Sequence, residues 1–227
     1  MGKVIAIGGG YNGGDFDIEL EKKIRHFVLK DKPKVVFIPY ASDEFYDNYH
    51  DFKDIYESLS CEVDLLQQGN EKIMLHADLI YIGRGQTIPL MEKLNETYTR
   101  SILLQALETG AIVAGFSAGA HSLFTIAGSN EEEIGYTLVE GLGLINECMI
   151  SHYNYEDRAE AFHQLLLKRN LAGIGLEDHT MLVYNNGQAT VYSSKVDSHA
   201  YLIKPGASSH YIQPFENNVE FPLSLGK

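Results

Sequence analysis

The segment 111–123 constrains the fold more strongly than any other stretch of this chain. Its first five residues, 111–115, are apolar and small enough for a strand that is buried on both faces. A G-x-S-x-G motif, residues 115–119, follows directly and runs into residues that suit a helix, 118–124. Such a turn needs glycine on both sides, because a Cβ there would strike the neighbouring strand or helix. The pattern predicts that the hydroxyl of Ser117 stands above the end of a buried strand.

This predicted position of Ser117 suits a catalytic nucleophile. The first N–H groups of a helix have no partner within it, so the N–H of Ala118 can hold an anion that forms beside the serine. Small residues in this pattern also occur where a helix and a strand merely pack closely. The strand before the serine and the helix after it favour the nucleophile, because structural context is what confirms the motif.

Short apolar runs alternate with helical patterns along the first half of the chain. Before Ser117, strands are predicted at 3–7, 34–39, 62–66 and 79–82, with helical segments between them. This order predicts an α/β fold, a three-layer sandwich in which a mostly parallel sheet has helices on both faces. The functional sites of such sheets lie outside the carboxyl ends of the strands.

The second half of the chain breaks this rhythm. Residues 128–143 are acidic and glycine-rich and predict a loop that contains three consecutive glutamates. Asn186-Gly187 lies between two strand-like segments and is a strong signal for a type I′ turn, so a C-terminal β-hairpin is expected. We find no internal repeat, low-complexity segment or linker, and we therefore expect one domain over residues 1–227.

A serine becomes an effective nucleophile when a base takes its proton, and a carboxylate best orients that base. His152 is the preferred base because it follows a predicted strand, 147–150, in the sheet that is expected to carry the serine. His179, which follows the acidic pair 177–178 near another strand end, is the second choice. His121 lies four residues after the serine, but its helix is expected to carry the side chain away from the strand end.

The charge and the glycine pattern argue against several classes of partner. The formal net charge of −13 opposes binding to nucleic acid or to anionic membranes, because both would repel it. Gly8, Gly10 and Gly13 fit G-x-G-x-x-G, but the next strand lacks the terminal acid that a dinucleotide site needs. Cys61 and Cys148 lack metal-ligand spacing and are expected to be reduced. The sequence shows no leader pattern and no apolar run of membrane length, so we expect a cytoplasmic protein. We also expect that it uses neither a cofactor nor a metal.

Four segments carry motifs that occur together in one known family. They are Phe-Ile-Pro-Tyr-Ala at 37–41, Ala-Asp-Leu-Ile-Tyr-Ile-Gly-Arg-Gly-Gln-Thr at 77–87, Gly-Phe-Ser-Ala-Gly-Ala at 115–120, and His152-Tyr153. Together they resemble peptidase family S51, the family of dipeptidase E and cyanophycinase. The resemblance implies a serine peptidase on an α/β sandwich similar to that of class I glutamine amidotransferases. It also implies a triad in the chain order serine, acid, histidine.

The resemblance implies a role for each matching residue of the triad. Ser117 corresponds to the nucleophile and His152 to the base. The acid of the family follows an asparagine in the loop after the elbow helix, which points to Glu131 in this chain. Glu132 is the alternative, because three glutamates follow one another there.

The resemblance also implies how the substrate is held. The N–H of Ala118, together with that of Gly85 or Arg84, corresponds to the oxyanion hole, and Gln86 corresponds to a position that lines the substrate. Arg158 corresponds to the arginine that grips the acidic side chain of the substrate in dipeptidase E, and a bidentate contact with a carboxylate would explain that preference. Arg84 replaces a glycine that is usual in the family, which brings a second cation into the pocket or narrows it.

These observations predict a serine exopeptidase that hydrolyses small peptides, dipeptides with an N-terminal aspartate among them, through an acyl-enzyme. We expect a monomer or a homodimer. In one alternative the same triad acts on other amides, on esters or on aspartate polymers. In another the same scaffold is a catalytically silent module that binds a small molecule. The distance between Ser117 and His152 separates this last alternative from the enzymes.

Overall fold

The computed structural model describes residues 2–12, 15–42, 45–96, 98–206 and 209–223, so Gly13 of the N-terminal glycine motif lies outside the described residues. Within them the strands, in chain order, are β1 (Val4–Ile7), β2 (Lys34–Ile38), β3 (Glu62–Leu65), β4 (Leu79–Ile82), β5 (Ile112–Phe116), β6 (Phe124–Glu131), β7 (Gly135–Glu140), β8 (Ile145–Ser151), β9 (Gly173–Leu176), β10 (Thr180–Asn185), β11 (Gln188–Ser193), β12 (Ala200–Pro205), β13 (His210–Pro214) and β14 (Glu220–Pro222). The helices are α1 (Ile18–Phe27), α2 (Phe45–Ser58), α3 (Thr87–Glu96), α4 (Thr99–Glu108), α5 (Ala118–Leu123) and α6 (Glu156–Arg169), with a 3-10 helix at Glu71–His76. None of these helices has the length and apolar character needed to cross a membrane.

In the described part of the chain, eight strands form a mixed sheet in the order β14-β11-β10-β1-β5-β4-β2-β3. The five strands from β1 to β3 in this order run parallel, and β10, β11 and β14 extend the sheet with antiparallel pairs. Successive residues of β1 point to opposite faces: Val4 and Ala6 pack with α3, α4 and α5, whereas Ile5 and Ile7 pack with α1 and α2. The predicted α/β sandwich, with helices on both faces of a largely parallel sheet, is thereby confirmed.

A second sheet was not expected. Among the described residues, six strands pair in the order β13-β12-β9-β8-β6-β7. The strand that precedes His152 is β8, so it belongs to this second sheet and not, as predicted, to the sheet that carries Ser117. Helix α6 covers one face of it, where Phe162 and Leu166 pack with Ile150. The strand itself was predictable from its apolar residues, but the choice of partner strands leaves no local pattern in the sequence.

The acidic segment 128–143 also differs from the prediction. Strands β6 and β7 pair there as an antiparallel hairpin, from Ile126 opposite Glu140 to Glu131 opposite Gly135, so the expected loop shrinks to a short turn. Glycine and glutamate are uncommon in strands, which is why the composition indicated a loop. Backbone pairing of β6 with both β7 and β8 outweighs this weak local preference.

The C-terminal hairpin is present where it was predicted. Strands β10 and β11 are connected through Asn186 and Gly187, whose φ angles are 49° and 84°. Positive φ at both central residues is the requirement of a type I′ turn, and asparagine followed by glycine meets it at the lowest cost.

A carboxylic acid lies within the aromatic core on the α1–α2 face of the main sheet. Glu21 of α1 is fully buried, and its two carboxyl oxygens accept hydrogen bonds from the hydroxyls of Tyr56 at 2.7 Å and Tyr81 at 2.9 Å. Burial raises the pKa of Glu21 to about 7, although the two tyrosine hydrogen bonds oppose the shift. The folded protein therefore holds this proton at a pH where the unfolded chain has released it.

We expect the free energy of unfolding to fall as pH rises from about 4.5, the ordinary value for Glu21, to about 7. The sign follows because the folded state binds more protons than the unfolded state in this window. The loss should reach a few kcal/mol, since one pKa unit corresponds to about 1.4 kcal/mol. Urea unfolding of wild type and Glu21→Gln across this range measures it, and the variant should show a flatter dependence. An identical slope in both proteins would contradict the assignment.

Candidate active site

Ser117 occupies the sharp turn that the sequence predicted. It links the end of β5 to the start of α5, with φ 54° and ψ −110°, a backbone conformation that is strained for any residue with a side chain. A Cβ at Gly115 would lie 2.3 Å from the carbonyl oxygen of Gly119, and one at Gly119 would lie 2.1 Å from that of Ile82. Both glycines are thus required by close backbone approach, and together they allow the turn that exposes the serine hydroxyl.

His152 lies between Ser117 and a carboxylate. Its Nε2 is 2.8 Å from the Oγ of Ser117, and its Nδ1 is 2.6 Å from the Oδ1 of Asp178. An ionised carboxylate only accepts hydrogen bonds, so Nδ1 carries the proton and Nε2 is free to accept the serine proton. His152 and Asp178 are both buried. Three groups therefore stand in the order that nucleophilic catalysis by serine requires.

Asn154 fixes the position of Asp178. Its side-chain Nδ2 donates to the Oδ2 of Asp178 at 3.1 Å, and its Oδ1 accepts from the backbone N–H of Asp178 at 2.9 Å. Burial raises the pKa of the nearby Tyr155 hydroxyl, and the negative charge of Asp178 adds to the shift. One oxygen of Asp178 is thereby held by Asn154 while the other faces His152.

The N-terminal glycine loop packs directly on the His152–Asp178 pair. The N–H of His152, which has a positive φ of 54°, donates to the carbonyl oxygen of Gly8 at 3.0 Å. A Cβ on Gly9 would lie 1.8 Å from the Oδ1 of Asp178 and 2.5 Å from the Nδ1 of His152. The absence of a side chain at Gly9 is therefore a condition for the hydrogen bond between His152 and Asp178.

The predicted acids Glu131 and Glu132 do not pair with His152. Glu131 is buried, and its carboxylate accepts from the Oγ of Ser129 at 2.7 Å and from the N–H of Ile88 at 3.4 Å. Glu132 is exposed and meets the Nε2 of Gln86 at 3.5 Å. The expected chain order of serine, acid and histidine is wrong for the same reason, because the carboxylate at His152 comes from Asp178.

Asp178 could have been found from its place after a strand. It follows β9, which is parallel to β8, and the carboxyl ends of adjacent parallel strands lie at the same edge of a sheet. The sequence showed the acidic pair 177–178 at that point, but as a neighbour of His179. The signal was missed because the pairing of β8 with β9 was unknown.

The two alternative histidines hydrogen-bond other groups. His121 is buried, and its ring nitrogens meet Thr87 Oγ1 at 2.8 Å and Ser151 Oγ at 2.9 Å. Burial lowers the pKa of His121 to about 3, so the ring is neutral. The Nδ1 of His179 is 2.6 Å from the Oδ2 of Asp17. His152 is the histidine whose ring meets Ser117 in the described structure.

The two predicted oxyanion donors, Ala118 and Gly85, lie at the start of α5 and in the turn between β4 and α3. Ala118 is the first residue of α5, so its N–H has no partner within the helix. Gly85 has φ 143°, and a Cβ there would lie 1.9 Å from the carbonyl oxygen of Ala41, which also accepts from the N–H of Gln86 at 2.7 Å. The turn at Gly85 is thereby connected to the segment that follows β2. Gly85 and Gln86 line a cavity of about 480 Å³ together with Tyr40, Ala41, Ser42, Pro89 and Glu132.

The two predicted cations have different surroundings. Arg158 lines a cavity of about 370 Å³ that also includes His152. The other lining residues are Asn130, Tyr136, Tyr155 and Asp157. Arg84 instead donates from Nε to the Oδ1 of Asn48 at 2.9 Å, which directs its side chain toward α2. Arg158 therefore borders the space beside the histidine, whereas Arg84 is engaged by a helix.

Comparison with known proteins places this chain among peptidases. The model of peptidase family S51 matches residues 4–192. A Bacillus subtilis (strain 168) protein named uncharacterized peptidase YgaJ is 28% identical over 213 residues, which are 89% of this chain and 92% of that protein. A protein of Nostoc sp. (strain PCC 7120 / SAG 25.82 / UTEX 2576) named Peptidase E is 23% identical over 220 residues, 90% of each chain.

Two solved structures share the fold. A peptidase from an acI-B1 Actinobacterium superposes with a TM-score of 0.74 at 21% identity, over 98% of this chain and 97% of that one. A putative Peptidase E from Listeria monocytogenes EGD-e gives a TM-score of 0.65 at 20% identity, over 86% of this chain and 100% of that one. The family model spans most of the chain, and both curated relatives are named as peptidases. This chain therefore belongs to peptidase family S51 and is a peptidase.

Proposed function

We propose that this peptidase uses Ser117 as nucleophile, His152 as general base and Asp178 as the acid that orients it. The observation that carries the proposal is the hydrogen-bonded series Ser117 Oγ, His152 Nε2, His152 Nδ1 and Asp178 Oδ1, with distances of 2.8 Å and 2.6 Å. These contacts are short enough for direct proton transfer, which favours catalysis over a silent binding module on the same scaffold.

The reaction proceeds through an acyl-enzyme. The Oγ of Ser117 attacks the scissile carbonyl carbon while its proton moves to the Nε2 of His152. The carbonyl oxygen becomes an oxyanion, which the N–H groups of Ala118 and Gly85 stabilise. The C–N bond then breaks, and the leaving amine takes the proton from His152. Water then gives a proton to the same nitrogen and attacks the acyl carbon. The ester C–O bond breaks, and Nε2 returns the proton to the Oγ of Ser117 as the acid product leaves.

The substrate is a small peptide with an acidic residue at its N-terminus. Arg158 supports this assignment because its guanidinium borders the cavity that includes His152, where it can bind a carboxylate with two parallel hydrogen bonds. The cavity that includes His152 has a volume of about 370 Å³, which suits a short peptide. Gln86 lines the second cavity beside Gly85.

A dipeptide panel of Asp-X, Glu-X, Ala-X and β-linked Asp-X tests the substrate. Wild type should hydrolyse Asp-X best, and Arg158→Gln should lower kcat/KM for Asp-X by about 10- to 100-fold, because a hydrogen bond to a charged group is lost. Arg169→Gln is the matched control, since Arg169 is exposed at the other end of α6. Equal losses of Asp-X and Ala-X hydrolysis in Arg158→Gln would contradict the role of Arg158.

We also place the enzyme in the cytoplasm. Cys61 and Cys148 are free and buried, and reduced cysteines suit a reducing compartment.

A further inference from the structure

Five buried polar side chains outside the triad form a continuous series of hydrogen bonds. The carboxylate of Glu131 meets Ser129 Oγ at 2.7 Å, and Ser129 Oγ meets Thr87 Oγ1 at 2.8 Å. Thr87 Oγ1 meets His121 Nδ1 at 2.8 Å, and His121 Nε2 meets Ser151 Oγ at 2.9 Å. Each of the five residues is at most 6% exposed. We call this series the Glu131 chain.

The direction of every proton in the Glu131 chain follows from its two ends. The backbone N–H of Ser151 lies 3.3 Å from His121 Nε2 and can only donate, so Nε2 accepts and the proton of the neutral ring is on Nδ1. His121 then donates to Thr87, whose hydroxyl proton points to Ser129. Ser129 then donates to the Oε1 of Glu131. The chain therefore requires an acceptor at position 131.

The Glu131 chain joins three elements that hold parts of the active site. Thr87 begins α3 directly after the turn of Gly85 and Gln86. His121 lies on α5, which begins after Ser117. Ser151 ends β8 and immediately precedes His152. The nucleophile, the base and the proposed oxyanion turn are thus connected through one buried network.

We infer that Glu131 is a positioning residue that holds the Gly85 turn and the His152 end of β8 at their working distance from Ser117. The inference rests on the proposed function of Ser117 and His152. Glu131 acts through Ser129, Thr87 and His121 and exchanges no proton with the substrate. A shift of about 1 Å between reacting groups lowers turnover by about 100-fold, so loss of the anchoring acceptor should reduce kcat far more than it raises KM.

Steady-state kinetics of Glu131→Ala, Glu131→Gln and the control Glu133→Gln test this inference on the full chain. Glu131→Ala should lower kcat by about 100-fold with little change in KM. Glu131→Gln should recover much of that loss, because its amide oxygen still accepts from Ser129. Glu133→Gln should have the kcat of the wild type, since the side chain of Glu133 is exposed in the turn that follows Glu131. Thermal unfolding shows which variants are folded, and the kinetic constants are compared for those variants alone.

Thr87→Val removes one hydroxyl of the Glu131 chain while the volume of the side chain stays nearly the same. It replaces Glu131→Ala as the test if that variant does not fold. Its kcat should fall similarly, and the double variant with Glu131→Gln should lose no more than Thr87→Val alone, because both act through one network. Wild-type kcat in folded Glu131→Ala or Thr87→Val would overturn the inference, as would additive losses. The proposed function has its own test. It is wrong if Ser117→Ala retains activity, whatever the result for the Glu131 variants.

Discussion

Replacing Ser117 by alanine is expected to lower kcat by about 10⁶-fold, the cost of removing the nucleophile from a serine triad. Alanine keeps the small side chain that the turn accepts and removes only the oxygen 2.8 Å from His152 Nε2. The folded structure should therefore be preserved. Hydrolysis of Asp-X dipeptides by wild type and variant measures the effect, with circular dichroism as the check on folding.

Covalent labelling gives an independent test of the same residue. A fluorophosphonate should modify wild type at Ser117 and leave Ser117→Ala unlabelled, because the reagent needs an activated hydroxyl. Ser122→Ala is the matched control, since Ser122 lies five residues further along the chain, in α5, and its hydroxyl donates to the carbonyl oxygen of Gly119 at 2.7 Å. Labelling that persists in Ser117→Ala would assign the nucleophile to another residue.

Replacing Asp178 by asparagine is expected to lower kcat by about 10⁴-fold, as the loss of the orienting carboxylate does in serine triads. The amide of asparagine can present its NH₂ group to His152 Nδ1, and the ring proton would then move to Nε2. A protonated Nε2 cannot accept the proton of Ser117, so the nucleophile is no longer activated. Shape and volume are nearly unchanged, which separates this effect from a packing defect.

The pH-independent kcat of Asp178→Asn, compared with wild type and Asp197→Asn, measures this effect. Asp197 is exposed in the turn before β12, so its variant should retain full activity. Full activity in Asp178→Asn would remove Asp178 from the triad.

The parts of the site that sequence predicts are those determined by neighbouring residues. Ser117 was predictable because the strand, the two flanking glycines and the helix are contiguous, and each limits the conformation of the next. His152 was predictable as the residue after an apolar strand. Asp178 was not, because its contact with His152 depends on β8 pairing with β9 across more than twenty residues of chain.

Glu131 shows the opposite error. Its position in an acidic run, together with the family pattern, indicated the triad acid, yet the β6–β7 hairpin turns its carboxylate toward Ser129 and Ile88. Hydrogen-bond partners that come from α3 cannot be read from the residues around 131. The glycines at 8–10 follow β1 as a loop, and the need for glycine at position 9 is evident only from its closeness to Asp178.

The residues of the proposed triad are divided between the two sheets, and this division affects the order of events during folding. Ser117 belongs to the eight-stranded sheet, whereas His152 and Asp178 follow strands of the six-stranded one. The eight-stranded sheet carries neither the proposed base nor the proposed acid, and the six-stranded sheet lacks the proposed nucleophile. The proposed triad therefore forms only once the two sheets have packed together, which ties the onset of activity to their assembly.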